Sequence, residues 1–190
     1  MERKLFLFDC FGVVVADVST LWMNKHLTAD EQLYMRKNVF RKVDVGQMTM
    51  DGMFAEVSAL YGLDEETVRR EWRECEDVHA DTLRVIAELR KQGHCVALLS
   101  NAAAEYVDYL FDKFDLHKYF DYKFVSSAYG TAKPDRDFYE LCLKHFGGQF
   151  KKIYFTDDNP ANLAGLEELG ITPVLFTSAA EFAKAVGLKI

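Results

Sequence analysis

The chain has 190 residues, of which 49% are hydrophobic and 28% are charged. This length and composition fit one compact domain with a modest insertion, and they exclude disordered, collagen-like and low-complexity proteins. The formal net charge of −7 is the wrong sign for attraction to a nucleic-acid backbone or to an anionic membrane surface. We therefore expect neither nucleic acid nor a membrane as a partner.

The first predicted element is a strand at residues 5–8, and a long segment of helical texture follows it. In that segment apolar residues recur at spacings of three and four, and Ser19, Thr28 and Asp64 are candidate helix N-caps. We interpret residues 16–79 as a helical cap inserted into an α/β core of residues 1–15 and 80–190. The large apolar residues expected to pack this cap, with one or two facing a substrate, are Trp22, Phe40, Met50, Met53, Phe54 and Trp72.

The second half of the chain alternates between helix-like and strand-like segments. Apolar spacing predicts helices around Leu83, Tyr106, Phe138, Leu163 and Phe182. Short apolar strands are predicted between them, at residues 95–99, 123–125, 153–155 and 173–176. Strands that alternate with helices and are apolar on both faces indicate βαβ units. We therefore predict an α/β fold, a Rossmann-like three-layer sandwich with a parallel sheet.

The cysteines and the N-terminus predict a cytoplasmic protein. The four cysteines include no CxxC pair, which is typical of reduced thiols. Residues 1–8 superficially resemble the start of a signal peptide, but Asp9 interrupts the apolar run and no small-residue cleavage site follows. No apolar run approaches the ~18 residues that a membrane span needs.

Polar side chains follow four of the predicted strands, at the edge of the sheet where ligands bind in open parallel sheets. They comprise a carboxylate, a hydroxyl, an ammonium and an acidic pair. This set suits phosphoryl transfer, with a carboxylate as nucleophile, a divalent cation on the acidic pair, and the hydroxyl and ammonium binding phosphoryl oxygens. The carboxylate is Asp9, the hydroxyl is Ser100, the ammonium is Lys133, and the acidic pair is Asp157 and Asp158.

These segments resemble the four motifs of the haloacid dehalogenase (HAD) superfamily. The motifs read FDCFGVV at residues 8–14, LLSN at 98–101, KPD at 133–135 and DDNPAN at 157–162. The resemblance covers the whole chain, because the order of the motifs, their strand-end positions and the helical insertion after the first motif all agree. It implies a member with a small helical cap, similar to subfamily IA, that uses Mg²⁺ as its cofactor.

The resemblance also implies a role for each motif residue. Asp9 would accept the phosphoryl group as an aspartyl-phosphate and also ligate Mg²⁺, while Ser100 and Lys133 would hold the phosphoryl oxygens. Asp158 and the backbone carbonyl of Phe11 would be the other metal ligands. The implied substrate-binding positions are Phe11, Gly12, Asn101 and Ala102, and Asp157 and Asn162 are implied to support the site.

One position departs from the superfamily's pattern. Its phosphatases usually carry a second Asp two residues after the nucleophile, which protonates the leaving oxygen and later activates water. This chain has Phe11 there, and the loss of a positioned general acid or base costs about 10²–10⁴-fold in rate. We therefore expect slow turnover of a small phosphorylated metabolite, with Mg²⁺ binding retained through the Phe11 carbonyl.

Two other functions remain open from the sequence. Dehalogenases of the superfamily also lack the second Asp and carry an aromatic residue there, which Phe11 matches. Against this reading, the pair Asp157 and Asp158 would repel a 2-halo acid. The other alternative is a catalytically retired protein that only binds a ligand. The sequence identifies neither the substrate nor the oligomeric state, which is either a monomer or a homodimer.

Two further features have predicted positions. Cys10 adjoins Asp9, but strand alternation places its side chain on the opposite face, in the core. The basic cluster at residues 36–42 predicts a solvated helix face, from which Arg41 or Lys42 meets an anionic substrate when the cap closes.

Overall fold

The computed structural model describes residues 2–188 and contains a five-stranded parallel sheet. The strands are β1 (Leu5–Phe8), β2 (Cys95–Ser100), β3 (Tyr122–Val125), β4 (Ile153–Asp157) and β5 (Ile171–Leu175). They lie side by side in the order β3-β2-β1-β4-β5. The Rossmann-like α/β fold predicted from the sequence is confirmed.

The helices fall into two groups along the chain. The five that come directly after β1 are α1 (Val18–His26), α2 (Ala29–Met35), α3 (Arg41–Asp44), α4 (Met50–Tyr61) and α5 (Glu65–Glu74), and a π-helical turn at Arg36–Phe40 joins α2 to α3. Those that accompany the strands are α6 (Ala80–Lys91), α7 (Ala104–Lys113), α8 (Arg136–Phe146) and α9 (Ala179–Ala185). Among residues 2–188, no helix combines the length and the apolar character needed to cross a membrane.

Two of the three predicted helix caps are confirmed. The Thr28 side chain and Glu31 form a capping box at the start of α2, and Asp64 accepts a hydrogen bond from a backbone amide of α5. The prediction for Ser19 is wrong. Asp17 caps α1, and the Ser19 hydroxyl donates to the Asp17 carboxylate instead.

The helix predicted around Leu163 is also wrong. Two short 3₁₀ helices, Pro160–Leu163 and Leu166–Leu169, occupy that stretch. Gly165 stands between them with a φ of 74°, which is left-handed backbone that a continuous right-handed α-helix does not contain. The spacing of the leucines is helical, but the glycine interrupts the helix.

The sheet is covered on both faces. In β1, Phe6 and Phe8 join one core, which they share with helices from both groups, while Leu5 and Leu7 join the core beneath α8. A slip of one residue would exchange the two faces, so this burial fixes the register of the strand. In that register Phe8 lies beside Leu98 of β2 and Thr156 of β4. The carboxyl ends of the three central strands therefore meet at one place.

Candidate active site

The Lys133 ammonium bridges two carboxylates at this edge of the sheet. Its Nζ lies 2.7 Å from Asp9 Oδ1 and 2.7 Å from Asp157 Oδ2. All three side chains are nearly or fully buried. Burial lowers the pKa of Lys133, but the adjacent carboxylates more than offset this effect and leave the pKa above its ordinary value. Lys133 is therefore a fixed positive charge between two strand ends.

Asp9 lies directly after β1 and is held by its backbone neighbours. The Asp9 amide donates to the Thr156 carbonyl at 2.9 Å, and the Cys10 amide donates to Asp9 Oδ1 at 2.7 Å. Burial raises the pKa of Asp9, and Lys133 opposes that rise. Among the described residues Asp9 Oδ2 has no hydrogen-bond partner, so this oxygen is available to a ligand. The Cys10 side chain is buried in the core, as predicted.

Asp157 has both of its carboxylate oxygens occupied. Oδ2 accepts from Lys133 and from the Asn162 amide group, and Oδ1 accepts from the Asn159 backbone amide at 2.8 Å. Asn162 is itself buried. Asp157 is therefore fixed in place by protein donors, which suits a supporting residue.

Asp158 differs from Asp157 because its carboxylate makes no hydrogen bond to another described side chain. A Cβ at Gly12 would lie 2.4 Å from Asp158 Oδ2, and Gly12 has a φ of +78°. Both the absent side chain and the left-handed backbone thus require glycine at this position. Burial, together with the charges of Asp157 and Asp17, raises the pKa of Asp158.

The three carboxylates form a group that fits a divalent cation. Asp9, Asp157 and Asp158 each offer an oxygen, and these oxygens all lie within 4.8 Å of one another. Lys133 is the one cation bound to this group in the described part of the chain. The excess negative charge would repel a phosphate dianion, and a hard cation with oxygen ligands removes that repulsion. Mg²⁺ therefore fits this set of oxygen donors. Asp9 and Asp158 each have a carboxylate oxygen that is free to bind it.

The other predicted site residues lie around this group. Asn101 binds the backbone of Lys133, and the Gly12 amide donates to the Val15 carbonyl. The Ala102 amide donates to Ser126 Oγ at 3.0 Å. Ser100 is fully buried, and within residues 2–188 its hydroxyl oxygen has no hydrogen-bond partner. Their predicted roles toward a substrate stay predictions.

A cavity of about 550 Å³ opens above the carboxylates. Asp9, Lys133 and Asp158 form part of its wall together with residues of the π-helical turn, α3, α4, α5 and α7. Most of the remaining wall is apolar. Its large apolar side chains include Phe11, Phe40, Met50, Met53, Trp72 and Tyr106.

Phe11 is part of an aromatic wall that is anchored from behind. Its ring is stacked on Tyr106, with centroids 5.9 Å apart and planes 9° apart. The Tyr106 hydroxyl accepts from Trp72 Nε1 and donates to the buried carboxylate of Glu76, both at 2.9 Å. Phe11 stands where phosphatases of the superfamily carry a second Asp, and its side chain is thus part of an apolar wall that these contacts hold in place.

Two charged residues of the cavity wall, Asp17 and Asp44, were not singled out by the sequence, because they lie in a helix cap and a helix without a motif. Arg36, from the basic cluster predicted as a solvated helix face, also lines the cavity. Arg41 and Lys42, which we expected to meet a substrate, instead pair with Asp135 and Glu56. Helical spacing predicts only that these residues are close together, and it does not show which of them faces the sheet.

Comparisons with known proteins agree on one family. The family model for haloacid dehalogenase-like hydrolases matches residues 3–170. A sesquiterpene phosphatase of Aspergillus oryzae is 23% identical over 148 residues, which are 76% of this chain and 76% of that protein. Flavin mononucleotide hydrolase 1 of Arabidopsis thaliana is 34% identical over 73 residues, which are 38% of this chain and 30% of that protein.

Solved structures show the same fold. A HAD family enzyme from Bacteroides thetaiotaomicron matches with a TM-score of 0.78 and 17% identity, over 98% of this chain and 99% of that chain. The same enzyme in complex with magnesium and inorganic phosphate matches with a TM-score of 0.72 and 19% identity, over 91% and 93%. A dehalogenase also matches, with a TM-score of 0.73 and 16% identity over 96% of both chains. The fold is therefore shared by enzymes of different chemistry.

Proposed function

The chain belongs to the haloacid dehalogenase-like hydrolases, and we propose that it is a Mg²⁺-dependent phosphatase of small phosphomonoesters. The observation that carries this proposal is the arrangement of Asp9, Lys133, Asp157 and Asp158. A nucleophilic carboxylate, a fixed ammonium and a divalent-cation site together are the parts that phosphoryl transfer requires.

In the proposed first step, an Asp9 carboxylate oxygen attacks the phosphorus. The bond to the ester oxygen breaks, and the phosphoryl group is left on Asp9 as an aspartyl-phosphate. Lys133 already forms an ion pair with Asp9 Oδ1, so it holds the carboxylate in place for the attack. Its charge also stabilises the negative charge that develops on the phosphoryl oxygens. Ser100 provides a further hydroxyl donor at the end of β2.

Asp9, Asp158 and the Phe11 carbonyl are the proposed metal ligands. The Phe11 carbonyl accepts no hydrogen bond from a described backbone amide, and both carboxylates have a free oxygen. Bound there, Mg²⁺ would supply positive charge that offsets the negative charge of the phosphoryl oxygens. Asp157 and Asn162 support the site by fixing Lys133 and the chain that follows β4.

In the proposed second step, water attacks the phosphorus of the aspartyl-phosphate. The bond between phosphorus and Asp9 breaks, so that the carboxylate is regenerated and inorganic phosphate leaves. The attacking water loses a proton in this step. Phe11 cannot accept that proton, and the proposed function alone therefore predicts slow turnover.

The cavity supports a substrate whose organic group is apolar. Large aromatic and methionine side chains line the cavity beside the carboxylates, and such surfaces bind apolar groups by removing them from water. The two curated relatives are named as a sesquiterpene phosphatase and a flavin mononucleotide hydrolase. These names support a phosphate ester with a bulky, weakly polar organic group.

A panel of phosphomonoesters tests this proposal. Release of inorganic phosphate is compared for benzyl and prenyl phosphates on one side and glycerol and glucose phosphates on the other, all of which release an alcohol. We expect a kcat/KM at least about tenfold higher for the apolar esters, a difference of ~1.4 kcal/mol. Higher values for the sugar phosphates would contradict the apolar substrate class.

Phe11 favours dehalogenation as a second candidate, because a halide leaves without a proton. The excess of carboxylates at the site opposes it, since a 2-halo acid is itself an anion. Halide release from 2-halo acids that persists in chelator, without phosphate release from the panel, would support this candidate over the phosphatase.

We also propose that residues 16–79 work as the helical cap of the enzyme. Phe40, Met50 and Met53 in this segment line the same cavity as Asp9 and Lys133, so the segment supplies the surface that selects the substrate. A cytoplasmic location is proposed on the ground that all four cysteines are free thiols.

A further inference from the structure

We propose that Asp44 is the proton donor to the leaving group of the substrate, in place of the second aspartate that Phe11 replaces. This inference rests on the proposed phosphatase function. It assigns a catalytic role to a residue of α3, far in the sequence from all four motifs. It also predicts that the enzyme is not confined to substrates with good leaving groups.

Asp44 lies in the wall of the cavity that contains the carboxylate group. Four aspartates line the cavity, namely Asp9, Asp17, Asp44 and Asp158. Asp9 is the proposed nucleophile and Asp158 a proposed metal ligand. Asp17 caps α1, with Oδ1 accepting from the Ser19 hydroxyl at 2.8 Å and from the Thr20 amide at 3.0 Å. Asp44 is the remaining carboxyl, and within residues 2–188 its side chain makes no hydrogen bond and no ion pair.

The absence of a partner distinguishes Asp44 from a structural carboxylate. Arg41, one turn earlier on the same helix, is turned toward Asp135 and bonded to it. A partly buried carboxyl without a donor loses hydration and gains nothing from the protein. A residue that carries this cost and faces a substrate cavity is a candidate for a role in the reaction.

The surroundings of Asp44 favour a proton on it near neutral pH. Burial raises the pKa of Asp44 to about 6, although the positive charges of Arg41 and Lys133 lower it. Arg36 is the other cation of the cavity wall, and Asp9, Asp17 and Asp158 are its anions. A carboxylic acid with a pKa in this range is a better acid catalyst at neutral pH than an ordinary aspartate, which is almost fully ionised.

While an Asp9 oxygen bonds to phosphorus, the ester bond breaks and its electron pair goes to the alcohol oxygen. The carboxyl proton of Asp44 moves to that oxygen, which gives a neutral alcohol and an Asp44 carboxylate. In the second step this carboxylate takes the proton of the attacking water, so that Asp44 returns to its starting form.

The test compares two substrates that differ by one methylene group, para-nitrophenyl phosphate and para-nitrobenzyl phosphate. The phenolate leaves without a proton, whereas the benzyl alkoxide requires one. We expect Asp44→Asn to lower kcat/KM by about 100-fold for the benzyl ester and by less than about threefold for the phenyl ester. The pH profile for the benzyl ester should lose its alkaline limb in this variant, because kcat/KM reports the acid of the free enzyme.

The outcomes separate this inference from the proposed function. Asp9-dependent hydrolysis of the phenyl ester by the wild type establishes the phosphatase, whatever Asp44 does. Equal losses for both esters in Asp44→Asn, or no loss for either, would overturn the role of Asp44. No Asp9-dependent release from either ester by the wild type would overturn both claims.

Two further variants guard against a failure to fold. Asp30→Asn changes an exposed carboxyl of α2 that does not line the cavity, and it should leave both rates unchanged. Phe11→Asp combined with Asp44→Asn restores a carboxyl at the usual position, and we expect it to recover the benzyl ester selectively. If this combination folds as the wild type does and recovers nothing, the assignment of the missing proton donor is wrong.

Discussion

The side-chain amide of Asn101 holds the backbone of Lys133 through two hydrogen bonds. Asn101 Nδ2 donates to the Lys133 carbonyl and the Lys133 amide donates to Asn101 Oδ1, each at 2.8 Å. This pair joins the loop after β2 to the loop before α8. It fixes the main chain from which the Lys133 ammonium reaches Asp9 and Asp157.

Asn101→Ala should therefore impair the reaction through Lys133. Loss of both hydrogen bonds removes about 1–3 kcal/mol of positioning energy. We expect kcat to fall by about tenfold or more, with a smaller change in KM, because the ammonium acts most strongly on transition-state charge. Steady-state kinetics of phosphate release measures both constants. Asn38→Ala, which removes an exposed amide that binds the Tyr34 carbonyl, is the matched control and should change neither.

Gly12→Ala should displace Asp158 and weaken Mg²⁺ binding. The new Cβ would lie 2.4 Å from Asp158 Oδ2, so the carboxylate must move. We expect the Mg²⁺ dissociation constant from calorimetry to rise about tenfold or more, which corresponds to ~1.4 kcal/mol.

The control for this variant is Gly62→Ala. Gly62 also has a positive φ, of +65°, but no atom lies within 4 Å of a Cβ built there. The Gly62→Ala variant has the same cost of ~1–2 kcal/mol for an alanine at positive φ, but it has no clash with a neighbouring atom. Its Mg²⁺ affinity should therefore equal that of the wild type. Equal weakening in both variants would show that backbone strain, and not Asp158, is responsible.

Phe11→Asp should raise turnover of phosphate esters of alkyl alcohols. It places a carboxyl two residues after Asp9, and we expect kcat to increase by about tenfold, which is less than the full ~10²–10⁴-fold of general acid catalysis because Asp44 already donates a proton in the wild type. Phe11→Asn introduces a side chain of the same size as aspartate that cannot transfer a proton, and it should not increase kcat. Both variants lose the stacking on Tyr106, so a reduction in the free energy of unfolding by ~0.5–1.5 kcal/mol should accompany them. An equal gain in both would point to altered access to the cavity.

Glu76 should be a major determinant of stability. Its side chain is fully buried and accepts from Tyr106 at 2.9 Å, Tyr109 at 3.1 Å and Lys113 at 2.7 Å. Glu76→Ala leaves these donors without their shared acceptor, and we expect a loss of about 3 kcal/mol in urea unfolding. Glu74→Ala changes an exposed neighbour and should cost less than ~0.5 kcal/mol. A similar small loss for Glu76→Ala would mean that the buried network is energetically neutral.

The sequence predicts the sheet well because the signal there is local. Each inner strand is a short apolar run, and residues such as Asp9 and Asp157 follow directly in the chain, so the parallel topology brings them together. The 3₁₀ segments after β4 could not be predicted from the leucine spacing, because Gly165 overrides it through its left-handed backbone.

The residues that line the cavity are harder to predict from the sequence, because contacts between distant segments determine which side chains face it. Trp22 and Phe54 have the same helical spacing as Met53 and Trp72, yet only the latter two line the cavity. Arg36 and Asp44 lie on either side of Arg41 in the sequence, yet these two line the cavity and Arg41 does not. No local pattern contains that information.

The most direct test of the proposed function is phosphate release by the wild type and by Asp9→Asn, each with Mg²⁺ and with chelator. We expect release by the wild type in Mg²⁺ and at least a ~10³-fold loss in the other three conditions, because nucleophile and cation are both required. Thermal unfolding of Asp9→Asn should show that it remains folded. Undiminished hydrolysis by Asp9→Asn, or full activity of the wild type in chelator, would contradict the mechanism.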